Sequence, residues 1–188
     1  MKIFLCSKSC WNIYNFRKNL IKKIIKEKHK VYILCKADSY KSKLVKLGCT
    51  FFDINYNNRK FNLINDFIIF IKIIYLNIKI SPNLFLNFNV KPIIIGSLVC
   101  KIFKLNSINT ITGLGSGFLR GNFFKFIFLQ IYKFCLSKNC TVFFHNSIDK
   151  NLFLQKKIIK KNQSFVVPGS GVDINYFRYK KKKNRKNN

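Results

Sequence analysis

Short apolar runs alternate with longer stretches of helical spacing through almost the whole chain, and this alternation restricts the fold more than any other feature. The runs at Lys2–Leu5, Val31–Leu34, Thr50–Ile54, Leu84–Phe88, Ser107–Ile111, Thr141–Phe144 and Ser164–Val167 are short and apolar, as buried strands are. Between them, Tyr14–Lys28 carries Phe16, Leu20, Ile21, Ile24 and Ile25 at helical spacing. Ser39–Leu47, Phe61–Ile78, Ile93–Phe103, Phe118–Leu136 and Ile148–Gln155 read as further helices. Strands separated by helices close through right-handed crossovers into a parallel sheet. The expected class is α/β, a Rossmann-like parallel sheet with helices on both faces.

A chain of 188 residues, 48% of them hydrophobic, is long enough for one domain with a real core. Its 36 Lys and Arg against 6 Asp and Glu give a formal charge of +30, which favours anionic partners such as nucleic acid, acidic lipid headgroups or diphosphates. Heavy use of Lys, Asn, Ile and Phe also follows from AT-rich coding, so the charge by itself names no ligand. A basic nucleic-acid-binding module is the alternative it leaves open, with no RNP, helix-turn-helix or zinc-finger signature to accompany it; a decayed fragment without function is another. Seven scattered cysteines without a C-x-x-C pair, and only two histidines, predict neither a metal site nor a cofactor. They read as reduced thiols in the core of a cytosolic protein. The apolar start ends at Ser7-Lys8, too soon for a secretory signal. Phe61–Ile80 is interrupted by Asp66, Lys72 and Lys79, which makes it a core or interfacial helix and not a membrane span. From Tyr179 the chain is Lys, Arg and Asn, so 179–188 is expected to be a disordered basic tail behind a domain over 1–178.

Gly113-Leu114-Gly115-Ser116-Gly117 lies between a predicted strand and a predicted helix. Glycines there admit close approach to a ligand, and a helix N-terminus offers free N–H groups to a phosphate. It is not a dinucleotide fingerprint, which opens the first strand–helix unit and needs an acidic residue about 20 positions on. This turn follows the fifth strand, and no Asp or Glu occurs between Asp66 and Asp149. Nor does Gly-Lys-Ser/Thr follow, as in a P-loop. Spacing alone leaves a tight turn without ligand equally open.

Five segments, in order, carry a family resemblance. Trp11-Asn12-Ile13-Tyr14-Asn15-Phe16-Arg17 is similar to a W-x-x-Y-N-F-R motif, and Asn87-Phe88-Asn89-Val90-Lys91-Pro92 with Gly96-Ser97 to N-F-T-I-K-P-x-x-Y-G-S. Thr110-Ile111-Thr112-Gly113-Leu114-Gly115 matches T-I-T-G-L-G, and Phe144-His145-Asn146-Ser147 is similar to F-Q-N-S/D. Val167-Pro168-Gly169-Ser170-Gly171-Val172-Asp173 with Phe177 is close to P-G-S-G-V-D-x-x-x-F. Together they resemble the N-terminal, acceptor-side lobe of GT-B-fold glycosyltransferases of the GT4 group, in the subgroup that acts on undecaprenyl-diphosphate-linked acceptors.

The resemblance implies a retaining hexosyl transfer from a nucleotide-sugar donor to a lipid-linked saccharide in cell-surface polysaccharide synthesis, without a covalent protein nucleophile. It implies a cytoplasmic protein peripheral to the inner face of the cell membrane. The family holds its donor on a second domain with paired glutamates, whereas Glu27, in the first amphipathic helix, is the one glutamate here. A donor domain is therefore expected from a separate subunit or as a lost half, with the chain inactive alone. Arg17, Lys91, Thr112, Gly113, Gly115 and Asn146 are the expected acceptor- or phosphate-binding residues; catalytic residues are not assigned. Arg17 is expected in the first turn of helix one, where an arginine opposes the dipole and calls for a bound anion or a salt bridge to one of the few carboxylates. Lys91 is expected at the end of a strand, in reach of a phosphate oxygen. Asn146 is read as a sugar ligand or a helix cap. His145 is read as packed or exposed, His29 as surface, and Asp173 as a turn cap. Phe118, Phe123, Phe124, Phe126 and Phe128, interleaved with Arg120, Lys125 and Lys133, are read as core, or as a face that dips into an anionic membrane.

Overall fold

A computed structural model describes residues 1–56, 62–115, 118, 121–136 and 139–171 of the chain. Seven strands alternate with six helices among them: β1 (Lys2–Ser9), α1 (Cys10–Lys26), β2 (Lys30–Lys36), α2 (Lys41–Lys46), β3 (Thr50–Asp53), α3 (Leu63–Ile80), β4 (Leu84–Phe88), α4 (Val90–Ile102), β5 (Asn106–Ile111), α5 (Asn122–Cys135), β6 (Cys140–Phe144), α6 (Ser147–Gln155) and β7 (Ser164–Val166). All strand pairs are parallel, in the order β3-β2-β1-β4-β5-β6-β7. The α/β class expected from the alternation is the one observed.

Period-two alternation in the central strands divides the core. Ile3, Leu5, Val31, Ile33, Cys35, Leu86 and Phe88 meet α1 and α2 through Cys10, Ile13, Ile21, Ile24 and Leu44. Phe4, Cys6, Leu34 and Phe85 point the other way, onto Ile69, Ile73 and Leu76 of α3 and Ile95 and Val99 of α4. Farther along the sheet, Ile111, Val142 and Phe144 pack with Leu129 and Tyr132 of α5 and Phe153 of α6. On the α1 side the outer strands therefore keep a partly open wall, with Ile108 and Phe143 half-buried and Phe165 exposed.

All seven cysteines are buried free thiols. Burial pushes Cys6 up to about 12 and Cys49 and Cys135 up to about 11, so these thiols stay protonated at neutral pH. Among the described residues, no helix is long and apolar enough to cross a membrane.

Three helix starts differ from the sequence expectation. Helix α1 begins at Cys10, where Ser9 caps it by accepting the Asn12 N–H at 3.2 Å. Arg17 is consequently the eighth helical residue, too deep for a dipole argument, and that expectation is corrected. Helix α4 starts at Val90, so Lys91 stands in its first turn and not at a strand end; Pro92 is tolerated there because first-turn N–H groups have no helical partner. Gly121, at φ 109°, delays α5 to Asn122. The expected tail 179–188, the domain end at 178, Asp173, Arg120, and Ser116 and Gly117 of the glycine turn lie outside the described residues.

Candidate functional site

The strand order reverses between β1 and β4: one leads through α1 to β2, the other through α4 to β5 on the opposite side. The loops beyond the two carboxyl ends diverge there and leave a crevice, the place where open α/β sheets bind ligands. Asn89 occupies that point with φ 72° and ψ 156°, a backbone region nearly restricted to glycine and costing about 1–3 kcal/mol for other residues. Its side chain gives the reason. Asn89 Oδ1 accepts the Lys8 N–H at 3.2 Å and lies 2.8 Å from the Ser7 hydroxyl, which also contacts Asn12 Oδ1 at 3.0 Å. The β1–α1 junction and the β4–α4 turn are tied together across the crevice.

A buried polar network supports the crevice from below. Asn87 Nδ2 donates to Asn109 Oδ1 at 2.9 Å, the Ser97 hydroxyl donates to the same oxygen at 3.0 Å, and Asn109 Nδ2 donates to Ser107 Oγ at 3.2 Å. Helix α4 lies so close to β4 that a Cβ on Gly96 would stand 2.3 Å from Asn87 Oδ1. The Gly96-Ser97 pair is thus a seat for α4: the glycine clears the approach and the serine joins the network.

Above the sheet, a concavity of about 560 Å³ runs between α1, the ends of β4–β6 and the segment after β7. A second, of about 500 Å³, adjoins it over Asn12, Asn89, Thr112 and Pro168. Both share Phe16, Arg17, Phe88, His145, Ser170 and Gly171. Arg17 is 8% exposed, with its guanidinium carbon 4.3 Å from the centre of the Phe88 ring and Nη1 donating to the Phe16 carbonyl at 3.0 Å. Among the described residues its Nε has no hydrogen-bond partner. Desolvation lowers Arg17 to about 10, which still leaves it charged at neutral pH. Desolvation, and then the charge of Arg17, lower His145 below its ordinary 6.5, so the imidazole is neutral at pH 7.

Of the residues expected at the site, Arg17 and Thr112 line these concavities. Lys91 pairs with Asp66 of α3 at 2.8 Å. Gly115, at φ 80°, brings its backbone against α4, where an added Cβ would stand 3.0 Å from a Val90 methyl. A Cβ on Gly113 would meet nothing within 4 Å. Asn146 caps α6, accepting the Asp149 N–H at 2.7 Å and donating to the Asp149 carboxylate at 2.9 Å. Among the expected membrane-facing aromatics, Phe128 is core, whereas Phe123, Phe124 and Phe126 are exposed. Asn12, Asn89 and His145 were not expected as site residues, although each lies inside one of the motif segments. What was missing was the strand-order reversal, which decides which loops meet.

A family profile described as glycosyl transferase 4-like matches residues 2–146. No curated protein matches the chain by sequence. Solved structures share the fold at low identity. The UDP-GlcNAc 2-epimerase of Methanocaldococcus jannaschii is 18% identical with a TM-score of 0.59, over 88% of this chain and 44% of its own. A glycosyltransferase of Rickettsia africae is 15% identical with a TM-score of 0.62, over 94% and 45%. Anabaena HepE, solved with UDP and glucose, is 16% identical with a TM-score of 0.63, over 93% and 46%. The chain spans less than half the length of each.

Proposed function

The chain belongs to the glycosyl transferase 4-like family, and from that membership we propose that it is the acceptor-side lobe of a sugar-transferring enzyme. The donor is a nucleotide-sugar held by a second lobe across the crevice, and the acceptor is a saccharide on a lipid diphosphate, as in the undecaprenyl-diphosphate subgroup. One observation carries the reading: all five motif segments border the paired concavities, through Arg17, Asn89, Thr112, His145 and Pro168–Gly171. Segments far apart in sequence converge on one edge of the sheet. Anabaena HepE, one protein similar in fold, is solved with UDP and glucose and with UDP-glucose, which is consistent with a nucleotide-sugar donor.

In this reading the lobe presents the acceptor hydroxyl toward the donor's anomeric carbon. The bond from that carbon to the nucleoside diphosphate breaks as the glycosidic bond forms, and the hydroxyl proton leaves with the diphosphate. Neutral His145 and the Thr112 hydroxyl offer hydrogen bonds to sugar hydroxyls, and Asn89 fixes the loop geometry. A lipid-linked acceptor requires contact with the cytoplasmic membrane surface, and exposed Phe123, Phe124 and Phe126 beside Lys125 and Lys133 supply an apolar, cationic face for it.

The test is transfer of labelled sugar from a nucleotide-sugar to a polyprenyl-diphosphate saccharide. The 188-residue chain alone is expected to give no product, and a fusion to the donor-binding lobe of a family member to restore it. Robust transfer by the chain alone would overturn the half-site reading.

A further inference from the structure

The charge state of Arg17 is not explained by its protein surroundings. Burying a cation costs several kcal/mol unless an opposite charge or a full set of hydrogen bonds compensates it. Arg17 is 92% buried, yet among the described residues no carboxylate pairs with it. Its compensation is the Phe88 ring, 4.3 Å from the guanidinium carbon, and one carbonyl at 3.0 Å. Nε remains without a partner among the described residues. Lowering its pKa does not relieve the cost, because at about 10 the group stays charged. A methionine at this place would fill similar space with no such penalty.

From the orphaned Nε and the unpaired buried charge we infer that Arg17 is the anchor for the phosphate or diphosphate end of a ligand lodged between α1 and the sheet. This rests on the reading of the lobe as an acceptor site and deepens it by naming the group that is held. The surroundings agree with such a ligand. Arg17 stands where the two concavities meet, and Thr112, Ser170 and Gly171 line the smaller one with it. The larger concavity is walled by Leu20, Leu86, Phe88, Ile108, Phe143 and Val167, which suits an apolar group attached to the anion. A guanidinium can donate two parallel hydrogen bonds to phosphate oxygens, and a dry, apolar wall strengthens both.

A nucleotide donor and a lipid-linked acceptor both carry a diphosphate, so the experiment uses three probes: inorganic pyrophosphate, UDP and farnesyl diphosphate. Thermal unfolding and calorimetric titration are measured at 0.3 M salt, where loose binding to a polycation is largely screened. The proteins are the full chain, Arg17→Met and Lys22→Met, the last removing an equal charge from the exposed side of the same helix. Without ligand, Arg17→Met is expected to melt at or above the parent temperature, because an uncompensated buried charge has gone. With ligand, the parent and Lys22→Met are expected to be stabilised, and Arg17→Met to lose at least tenfold in affinity. Tighter binding of farnesyl diphosphate than UDP assigns the site to the lipid-linked partner; the reverse assigns it to the nucleotide; both uphold the anchor. Equal affinity in Arg17→Met and parent, or no binding by the parent, overturns it, and neither result touches the transfer assay above. A marked fall in the melting temperature of ligand-free Arg17→Met would also count against it, by making the arginine a packing element.

Discussion

Gly96 and Asn89 illustrate how much of this site is decided by single atoms. A methyl group on Gly96 would enter the space of Asn87 Oδ1, on a buried amide that the bond from its Nδ2 to Asn109 holds in place. Gly96→Ala should therefore cost about 3 kcal/mol of stability, read from urea unfolding midpoints. Asn89→Ala keeps the strained φ and loses the bonds to Ser7 and Lys8, whereas Asn89→Gly loses the bonds but relieves the backbone. Glycine should be the milder change by about 1 kcal/mol in the same measurement; alanine as the milder one would refute the strain. His145 predicts a pH effect. Its folded-state pKa lies below the ordinary 6.5, so the unfolded chain binds the proton more readily. Its contribution is constant well above 6.5 and shrinks as pH falls through 6.5 toward the folded value. The difference in unfolding midpoint between the parent and His145→Gln should narrow or reverse between pH 7.5 and 5; a constant difference would contradict the shift. The sequence offered Arg17 and Thr112 as candidates through their motifs, and both line the concavities. It could not identify the Asn89 conformation, since nothing in an Asn-Phe-Asn string announces a positive φ. The ion pair of Lys91 with Asp66, 25 residues away, was equally illegible.

Helices α3 and α5 flank α4 on one side of the sheet, and neither spends its full apolar content on the core. Ile69, Ile73 and Leu76 of α3 are buried, while Ile64, Phe67, Ile68, Ile71, Tyr75 and Ile78 form an exposed stripe at helical spacing. Between residues 62 and 136 the sequence holds seven lysines, Arg120 and one carboxylate, Asp66, which is already paired. Such a face suits an anionic lipid surface better than a second copy of a chain charged +30. Sedimentation with phosphatidylglycerol vesicles should recover the chain, and phosphatidylcholine vesicles should not. The double change Phe67→Ser and Ile71→Ser should reduce recovery several-fold; unchanged recovery would remove α3 from the proposed membrane contact. The sequence located these helices because their apolar density is high. It misjudged where α1, α4 and α5 start, because a cap depends on the fold around it: Ser9 and Gly121 act through backbone geometry that periodicity does not carry.

At the scale of the whole molecule, alternation of element types determined the sheet, and the one reversal in strand order determined the site. The first was legible in the sequence because buried parallel strands and their crossover helices have different apolar periods. The second was not, because strand order follows from which helices share a face, as α3, α4 and α5 do. The consequence is a lobe whose concavities collect residues from five distant segments around one buried arginine that no carboxylate among the described residues pairs with. Equilibrium titration of the chain with a polyprenyl-diphosphate saccharide and, separately, with a nucleotide-sugar tests this account most directly. It predicts saturable binding of the lipid-linked saccharide and at least tenfold weaker binding of the nucleotide-sugar. Preferential binding of the nucleotide-sugar would contradict it, and so would binding of neither.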